Sequence, residues 1–280
     1  MILSLSVRIA ESFASKEKAA LPLDALAGLA SAAGYKGLCM RASQAGIHSP
    51  PEEVARAAAL VRQCGLQVTM VTGNFDIVYN NDAGPACLRQ IRPHLELAKT
   101  FGAPMIRVAL KSAADIPWAQ HAADEALALD LKLVHQCHTQ SLFETVAGIE
   151  QTLQAIHRPN FGLVFEPANL ELCGQSYGLE TMDRLAPWIF NVYLQNQRLT
   201  PEGSVSLNTW CRGPVRFELM PIHASGGIDF RAVFEGLAAI GYAGPITAHQ
   251  AQIPLEPVDH TARETAAFLI QLGRDCGMRP

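Results

Sequence analysis

Eight short apolar runs alternate with longer stretches rich in alanine and leucine, and this alternation constrains the fold more than any other feature. Each run is continuously apolar, which is typical of parallel strands that are buried on both faces. Strands that alternate with helices in this way predict repeated βαβ units. The predicted strands are residues 2–7, 37–41, 66–72, 104–110, 131–136, 161–166, 189–195 and 246–249.

The stretches between these runs have the length and pattern of amphipathic helices. Eight strand–helix units in a chain of 280 residues favour an α/β fold of the closed (β/α)8 type, a TIM barrel, occupying residues 1–280 as a single domain. An open doubly wound sheet is the weaker alternative, because no glycine-rich fingerprint follows the first strand. The predicted helices are residues 23–33, 51–64, 85–101, 119–128, 143–157, 179–188, 230–240 and 261–276.

One interval does not fit the repeat. Residues 198–226, between the seventh strand and its helix, are rich in glycine, proline, serine and asparagine. A connection of this length usually has a function, such as covering a binding site. We therefore expect an irregular loop that folds over one end of the barrel and contacts the site, with Trp210, Arg212 and His223 as the candidate contacts.

Charge and composition exclude several classes of protein. The chain has 22 basic and 26 acidic residues and no basic run, so a nucleic-acid partner is not expected. No apolar stretch approaches the roughly 20 residues that cross a bilayer, so no membrane is expected either. Seven scattered cysteines without a CxxC pair indicate reduced thiols and a cytoplasmic protein. The expected partner is a small molecule, and the oligomeric state stays open.

Polar residues follow or end every predicted strand. TIM-barrel enzymes carry their functional groups at the C-terminal ends of the strands, whereas the strand interiors are apolar. Polar residues at eight such ends therefore predict one pocket at one end of the barrel. The candidates are Arg8, Arg41, Asn74, Arg107, His135, His138, Glu166, Asn169, Tyr193, Gln195, Asn196 and His249.

Three segments near the C-terminus carry a resemblance to a known family. They are the sequence GGIDF at residues 226–230, IGYAG at 240–244 and ITAH at 246–249. With the strand–helix rhythm of nearly the whole chain, they resemble the sugar-phosphate isomerase/epimerase family, whose barrels are similar to xylose isomerase. The resemblance implies a xylose isomerase-like TIM barrel. It also implies an isomerase or lyase that acts on a sugar, a sugar acid or an inositol derivative.

The same resemblance implies a metal site with altered ligands. Members typically bind one divalent metal through glutamate, aspartate, histidine and glutamate on strands five to eight. The matching positions here are His135, Glu166, Gln195 (or Tyr193, which faces the same way) and His249, of which only Glu166 keeps the chemical type. Either the metal site has decayed or it has been rebuilt. A rebuilt site of two imidazoles and one carboxylate suits Zn, Mn or Fe(II) better than Mg.

The proton-transfer groups implied by the resemblance are altered as well. Related epimerases use two glutamates to move the proton next to the carbonyl group, and histidines replace both here. Isomerisation, dehydration or another elimination therefore fits better than epimerisation. We expect His138 to act as a base, because the pKa of histidine lies near neutral pH. Tyr193 is expected to act through its hydroxyl group.

The remaining strand-end residues are candidates for binding the substrate. Arg8, Arg41 and Arg107 match the geometry of a carboxylate or phosphate. Each could instead pair with an acid at the barrel end, such as Glu11 or Asp76. The other candidate substrate contacts are Asn74, Asn169 and Asn196.

Three functions compete at this point. The first is a metal-assisted isomerase or lyase, and the second is a metal-free barrel that binds a carbohydrate-like ligand without turnover. The third is an apurinic endonuclease, since that activity occurs on a related barrel with several zinc ions. The acidic charge balance and the scarcity of strand-end carboxylates and histidines argue against the third.

Overall fold

Eight parallel strands close into a barrel in the computed structural model, which describes residues 1–278. Around the barrel the strands follow one another in the order of the chain, which is the sequential order of a (β/α)8 fold. The barrel strands are β1 (Ile2–Ser6), β2 (Gly37–Arg41), β3 (Gln67–Thr72), β4 (Met105–Val108), β5 (Lys132–Gln136), β6 (Phe161–Phe165), β7 (Ile189–Leu194) and β11 (Pro245–Ala248). The predicted fold class and all eight predicted strands are confirmed.

Helices surround the barrel and bury their apolar faces against it. The one predicted helix that the structure divides is 85–101. It becomes two helices because the first helix ends before Gln90 and a second begins with Pro93 in its first turn. Proline is tolerated there because the N–H groups of the first turn have no partner within the helix. The helices are α1 (Leu23–Ala33), α2 (Pro51–Gln63), α3 (Phe75–Tyr79), α4 (Ala86–Arg89), α5 (Arg92–Phe101), α6 (Ile116–Leu127), α7 (Val146–Ile156), α8 (Pro167–Leu172), α9 (Leu179–Leu185), α10 (Phe230–Ala239) and α11 (Val258–Asp275).

No helix within residues 1–278 is both long enough and apolar enough to cross a membrane.

The lower part of the barrel interior is filled by side chains of medium size. Side chains along a strand alternate between the barrel interior and the helical layer. Those that point inward here form a small cluster of their own, separate from the larger core between strands and helices. Its buried members are Cys39, Met70, Met105, Val134, Val164 and Tyr193.

The GGIDF segment has a structural role. A side chain at Gly227 would collide with the amide group of Asn196, so only glycine allows this approach. The Asn196 Oδ1 atom accepts from the Ile228 N–H at 3.0 Å. Asp229 then caps α10 by accepting from the Ala232 N–H at 3.0 Å. The segment therefore fixes the entry into α10 and supplies no group to the barrel interior.

The predicted irregular loop at 198–226 is wrong in its local structure. These residues form most of a three-stranded antiparallel sheet of β8 (Asn196–Leu199), β9 (Val205–Thr209) and β10 (Gly213–Met220), in the order β8-β10-β9. The sheet lies over the C-terminal end of the barrel, where Leu207 and Asn208 contribute to the wall of a cavity. Its position is as expected, but the side chains of Trp210, Arg212 and His223 do not line that cavity.

A buried carboxylate fastens this sheet to the barrel. Glu144, which is 4% exposed, accepts from the backbone N–H groups of Trp210 at 2.8 Å and Cys211 at 3.0 Å. It also accepts from the N–H of Gln140 in its own loop after β5. On the opposite side, the Gln250 amide donates to the Met220 carbonyl at 2.5 Å. Hydrogen bonds to an ionised acceptor are the stronger kind, so Glu144 is the main attachment.

We predict that Glu144→Gln loosens the sheet. The neutral amide accepts fewer hydrogen bonds than the carboxylate, so the free energy of unfolding should fall by about 1.5–3 kcal/mol. Hydrogen exchange at the Trp210 and Cys211 amides should accelerate. The control is Glu150→Gln in the exposed pair with Arg184, which should change stability by less than about 1 kcal/mol. Unchanged exchange at Trp210 and Cys211 would contradict the role of Glu144.

Candidate active site at the barrel mouth

A polar cavity of about 120 Å³ lies at the C-terminal end of the barrel, beneath the three-stranded sheet. Its size is near that of cavities of about 150 Å³ that hold benzene, so it suits a small ligand. Seven of the twelve candidate residues line it: Arg8, Arg107, His138, Glu166, Asn169, Gln195 and His249. The convergence predicted from the strand ends is therefore found for these seven, and five others lie elsewhere.

Glu166 is the carboxylate of this cavity. It is 1% exposed, and its Oε2 atom accepts from the side-chain amides of Gln136 and, at 2.7 Å, Asn169. Burial raises the pKa of Glu166 to about 7, although the amides and the charges of Arg8 and Arg107 act in the opposite direction. A carboxyl group with this pKa can both accept and donate a proton near neutral pH.

His249 lines the cavity as a neutral imidazole. Its ring stacks on Tyr193 with the centroids 3.7 Å apart and the planes at 11°. The Nδ1 atom lies 3.0 Å from the Ser6 hydroxyl, and Nε2 has no hydrogen bond to residues 1–278. Burial, followed by the charges of Arg8 and Arg41, lowers the pKa of His249 well below its usual value. The free nitrogen is therefore available to a ligand.

His138 is also neutral and is held at one nitrogen. Its Nδ1 atom lies 3.0 Å from the Thr139 carbonyl oxygen and 3.1 Å from the Asn80 amide nitrogen. The carbonyl can only accept and the amide nitrogen can only donate, so these two neighbours favour opposite tautomers, and Nε2 is the ring nitrogen that has no partner within residues 1–278. Burial and the charge of Arg107 lower the pKa of His138 well below its usual value.

Two guanidinium groups give the cavity a positive charge. Arg8 is 6% exposed and Arg107 is 1% exposed. Burial and the neighbouring arginines lower the pKa of each to about 10, so both remain protonated at neutral pH. The Nε atoms of both are buried without a hydrogen-bond partner. Buried donors without partners are uncommon, and here they indicate capacity to bind an acceptor.

Arg41 does not line the cavity, and its expected role in binding the substrate is wrong. It is fully buried and pairs with Glu11, with Arg41 Nη2 and Glu11 Oε2 2.8 Å apart. Ser43 donates a further hydrogen bond to Glu11 at 2.5 Å. This is the pairing with a barrel-end acid that was the alternative for each arginine. The ion pair balances both charges beside the cavity, whereas Arg8 and Arg107 form no ion pair within residues 1–278.

His135 is not a candidate ligand in the cavity, which corrects the predicted metal site. It follows Val134 and precedes Gln136, and both of these point into the barrel. Alternation along β5 therefore turns His135 outward, where its ring meets Phe143 at 4.7 Å. Its Nδ1 atom lies 2.9 Å from the Val108 carbonyl. His135 cannot share an ion with Glu166 and His249, so the predicted four-residue set is wrong.

Three more candidates belong to the framework. Tyr193 lies below the cavity with its hydroxyl 3.1 Å from the Cys39 sulfur, so its expected catalytic role is wrong. Asn74 caps α3 by accepting from the Ile77 N–H at 3.0 Å. Asn196 donates to the carbonyls of Pro221 and Ala224 at 2.8 and 2.9 Å. Asn74 and Asn196 therefore lie outside the cavity wall, with their side chains hydrogen-bonded to the backbone.

Sequence reasoning missed Lys16, Asn80, Gln136 and Asn208, which all line the cavity. Gln136 is the last residue of β5, but Leu133 and Val134 are both apolar and buried, so the sequence of the strand does not separate Gln136 from His135. Lys16, Asn80 and Asn208 lie outside the barrel strands, and their sequence neighbourhoods give no sign of where they fold.

The donor set in the cavity does not fit a divalent metal. The residues at the ends of β5, β6, β7 and β11 are Gln136, Glu166, Gln195 and His249. They offer one carboxylate and one imidazole, and the second imidazole of the cavity, that of His138, is not close enough to both to share an ion with them. Catalytic zinc sites have three strong protein ligands. Two amides already donate to the Glu166 carboxylate, and Arg8 and Arg107 repel a cation.

Within residues 1–278, one group of three His, Cys, Asp or Glu side chains is close enough to share an ion: Glu144, Cys173 and Cys211. It lies beneath the sheet, outside the cavity. The Glu144 carboxylate is occupied there by the backbone N–H groups of Trp210 and Cys211. This group therefore does not replace the predicted metal site.

Solved structures with the same fold have diverse descriptions. A xylose isomerase domain protein from Planctomyces limnophilus is 16% identical, covers 98% of this chain and 96% of its own, and has a TM-score of 0.72. A probable 3-DHS dehydratase, AsbF from Bacillus anthracis, is 13% identical, with 96% and 99% covered and a TM-score of 0.72. The IOLI protein with a zinc atom is 15% identical, with 98% and 99% covered and a TM-score of 0.71.

Other similar structures are described as sugar epimerases, as a protein in complex with magnesium and as an AP endonuclease of family 2. At these identities the likeness shows the fold alone. No curated protein sequence matches the chain. The family described as "Xylose isomerase-like TIM barrel" matches residues 27–272. The chain therefore belongs to the xylose isomerase-like TIM barrel family.

Proposed function

We propose that the chain is a metal-independent enzyme that moves a proton next to the carbonyl group of a small, anionic, hydroxylated compound. The reaction class is isomerisation or elimination, as in the sugar-modifying members of the family. The observation that carries the proposal is the cavity in which two unpaired guanidinium groups, Arg8 and Arg107, lie beside a single carboxyl group with a pKa of about 7.

The charges of the cavity support an anionic ligand. Arg8 and Arg107 are protonated, and both have buried N–H groups without partners. A carboxylate or phosphate on the ligand would satisfy these donors, and arginine matches both anions in geometry. Nucleic acid is not expected as the substrate, because the whole chain carries a net charge of −4 and no basic run.

Glu166 is the proposed proton-transfer residue. Its pKa of about 7 means that about half of the carboxyl groups are ionised at neutral pH, which suits a group that takes and returns a proton. Removing a proton next to a carbonyl group develops negative charge on the carbonyl oxygen. The guanidinium groups of Arg8 and Arg107 can stabilise this charge, a role for which many enzymes use a metal ion.

The neutral histidines have supporting roles in this proposal. His138 and His249 each have one nitrogen held by the protein and one that is left for the ligand. Their low pKa values keep them uncharged at neutral pH, so the remaining nitrogen of each ring can form one hydrogen bond with a ligand hydroxyl group. Asn169 and Gln136 hold the Glu166 carboxylate through hydrogen bonds and act as positioning residues.

We predict that the protein binds dihydroxyacetone phosphate more tightly than dihydroxyacetone, since these differ in one anionic group. Arg107→Gln should weaken binding of the phosphate ester ten- to a hundredfold, because hydrogen bonds to charged groups contribute about 1.5–3 kcal/mol. Calorimetric titration measures both affinities. Arg158→Gln, in the exposed pair with Asp124, is the matched control and should leave binding unchanged. Equal binding of the neutral and anionic ligands would refute the anionic preference.

We predict that the protein exchanges the carbon-bound hydrogens next to the carbonyl group of dihydroxyacetone phosphate with deuterium from D2O. Only the ionised carboxylate accepts a proton, so the exchange rate should rise with pH through about 7 and level off above it. Glu166→Gln should abolish the exchange, whereas Glu150→Gln should not. Nuclear magnetic resonance follows the exchange. Tight binding without exchange would instead favour a barrel that binds its ligand without turnover.

We predict that the purified protein contains well below one equivalent of zinc, manganese, iron or magnesium. The cavity offers one carboxylate and two imidazoles that do not lie close enough together to share an ion, and the two nearby arginines repel a cation. Elemental analysis and calorimetric titration with each ion test this. One equivalent of metal that is lost in both Glu166→Gln and His249→Ala would show that the cavity is a metal site after all.

A further inference from the structure

Lys16 contributes an amine to the same cavity from outside the barrel. It lies in the segment between the turn after β1 and helix α1, and it lines the cavity with Arg8, Arg107 and Glu166. Its backbone N–H donates to the Tyr79 hydroxyl at 3.1 Å. That hydrogen bond joins this segment to α3 on the other side of the cavity entrance.

The Lys16 amine has aromatic neighbours and no acidic partner. Its Nζ atom lies 5.2 Å from the centre of the Tyr79 ring and 5.7 Å from that of Phe13. No carboxylate of residues 1–278 forms an ion pair with it. The Phe13 ring also lies 5.5 Å from the guanidinium carbon of Arg8, so two basic side chains share one ring. Lys16 is half-buried, and its amine therefore faces two rings and a neighbouring guanidinium group instead of a carboxylate.

The surroundings of Lys16 favour the neutral amine. Burial first, and then the charges of Arg8, Arg41 and Arg107, lower the pKa of Lys16 to about 6. The faces of Phe13 and Tyr79 act in the opposite direction, since aromatic rings attract an ammonium ion. Burial and three like charges outweigh two partly open rings. Neutral amines are nucleophiles, and neighbouring cations activate lysine in enzymes that form Schiff bases.

We propose that Lys16 is a nucleophile of this site and forms an imine with the carbonyl carbon of a small anionic aldehyde or ketone. The proposal rests on the proposed function, because Arg8 and Arg107 would bind the anionic group and so direct the carbonyl group towards Lys16. It adds a covalent intermediate and identifies the substrate class as carbonyl compounds that can form imines.

The chemistry is balanced without an oxidant or a reductant. The lone pair of Lys16 Nζ forms a bond to the carbonyl carbon, and the electron pair of the C=O double bond moves to oxygen. One proton passes from nitrogen to that oxygen and a second comes from water. The C–O bond then breaks and water leaves, which gives a protonated imine that retains one hydrogen on nitrogen. The imine attracts electrons from the neighbouring carbon, so Glu166 can remove a proton there, and water later releases the product and the amine.

The test is to trap the imine in the full-length protein. Dihydroxyacetone phosphate and, separately, pyruvate are incubated with the protein at neutral pH, and borohydride then reduces any imine to a stable secondary amine. Peptide mass spectrometry locates the adduct. We expect labelling of Lys16 and at least tenfold less labelling of Lys18, an exposed lysine of the same segment. Inorganic phosphate should compete with labelling by dihydroxyacetone phosphate.

Lys16→Arg distinguishes a nucleophile from a simple positive charge. The arginine keeps a cation in the cavity but does not form a stable imine, so this variant should bind dihydroxyacetone phosphate and show no adduct at position 16. Binding that depends on Arg107 without any adduct at Lys16 would overturn the lysine proposal and leave the anionic site intact. An adduct at Lys16 that phosphate does not reduce would support the nucleophile and count against the anionic site.

Discussion

The alternation of side chains along the eight barrel strands is the constraint on which the rest of this structure depends. Because the strands form a closed barrel, every second side chain of each strand enters the interior. These side chains form layers that are stacked along the barrel axis and fill it. The lower positions hold Met70, Val134 and Tyr193, and the positions above them hold the polar residues of the cavity. The polar cavity is therefore the top layer of a packed interior. A change of one residue in phase moves a side chain from that layer to the helical shell.

Positive charge defines the chemistry of that layer. Three arginines enter from β2, β4 and the turn after β1, and one of them, Arg41, is paired with Glu11. Removing one member of such a buried pair typically costs about 3–5 kcal/mol, so Glu11 and Arg41 must be present together. The other two arginines line the cavity beside the Glu166 carboxylate, and the Glu11 carboxylate also acts on Arg8 from outside the cavity wall. The same fold that carries a metal ion in some neighbours here carries fixed guanidinium groups at its mouth.

The cavity is completed by elements that the barrel does not supply. The sheet of β8, β9 and β10 covers it from one side, and Glu144 fastens that sheet through backbone hydrogen bonds. The segment that carries Lys16 closes another side and is joined to α3 through Tyr79. Both attachments are hydrogen bonds at the edge of the barrel rather than parts of its core. The barrel thus fixes the groups at the bottom of the cavity, and the two attached segments decide its size and access.

The sequence by itself determined the eight strands, most helix boundaries and the end of the barrel at which the polar residues gather. These depend on local signals, namely continuous apolar runs, helical periodicity and turn residues, which act over a few residues. Seven of the twelve candidate residues line the cavity, because each lies near the C-terminal end of its strand or in the turn that follows it.

Only the tertiary structure decided which neighbour faces inward and which polar group is already used. Polarity at the end of β5 does not distinguish His135 from Gln136, because the phase is set by how the strand pairs within the closed barrel. Arg41 is paired with Glu11, 30 residues away in the chain, and Asn196 with carbonyls 25 and 28 residues away. Lys16 reaches the cavity through a segment without regular structure. Such partners come together through chain folding over long sequence separations, and no local pattern records them.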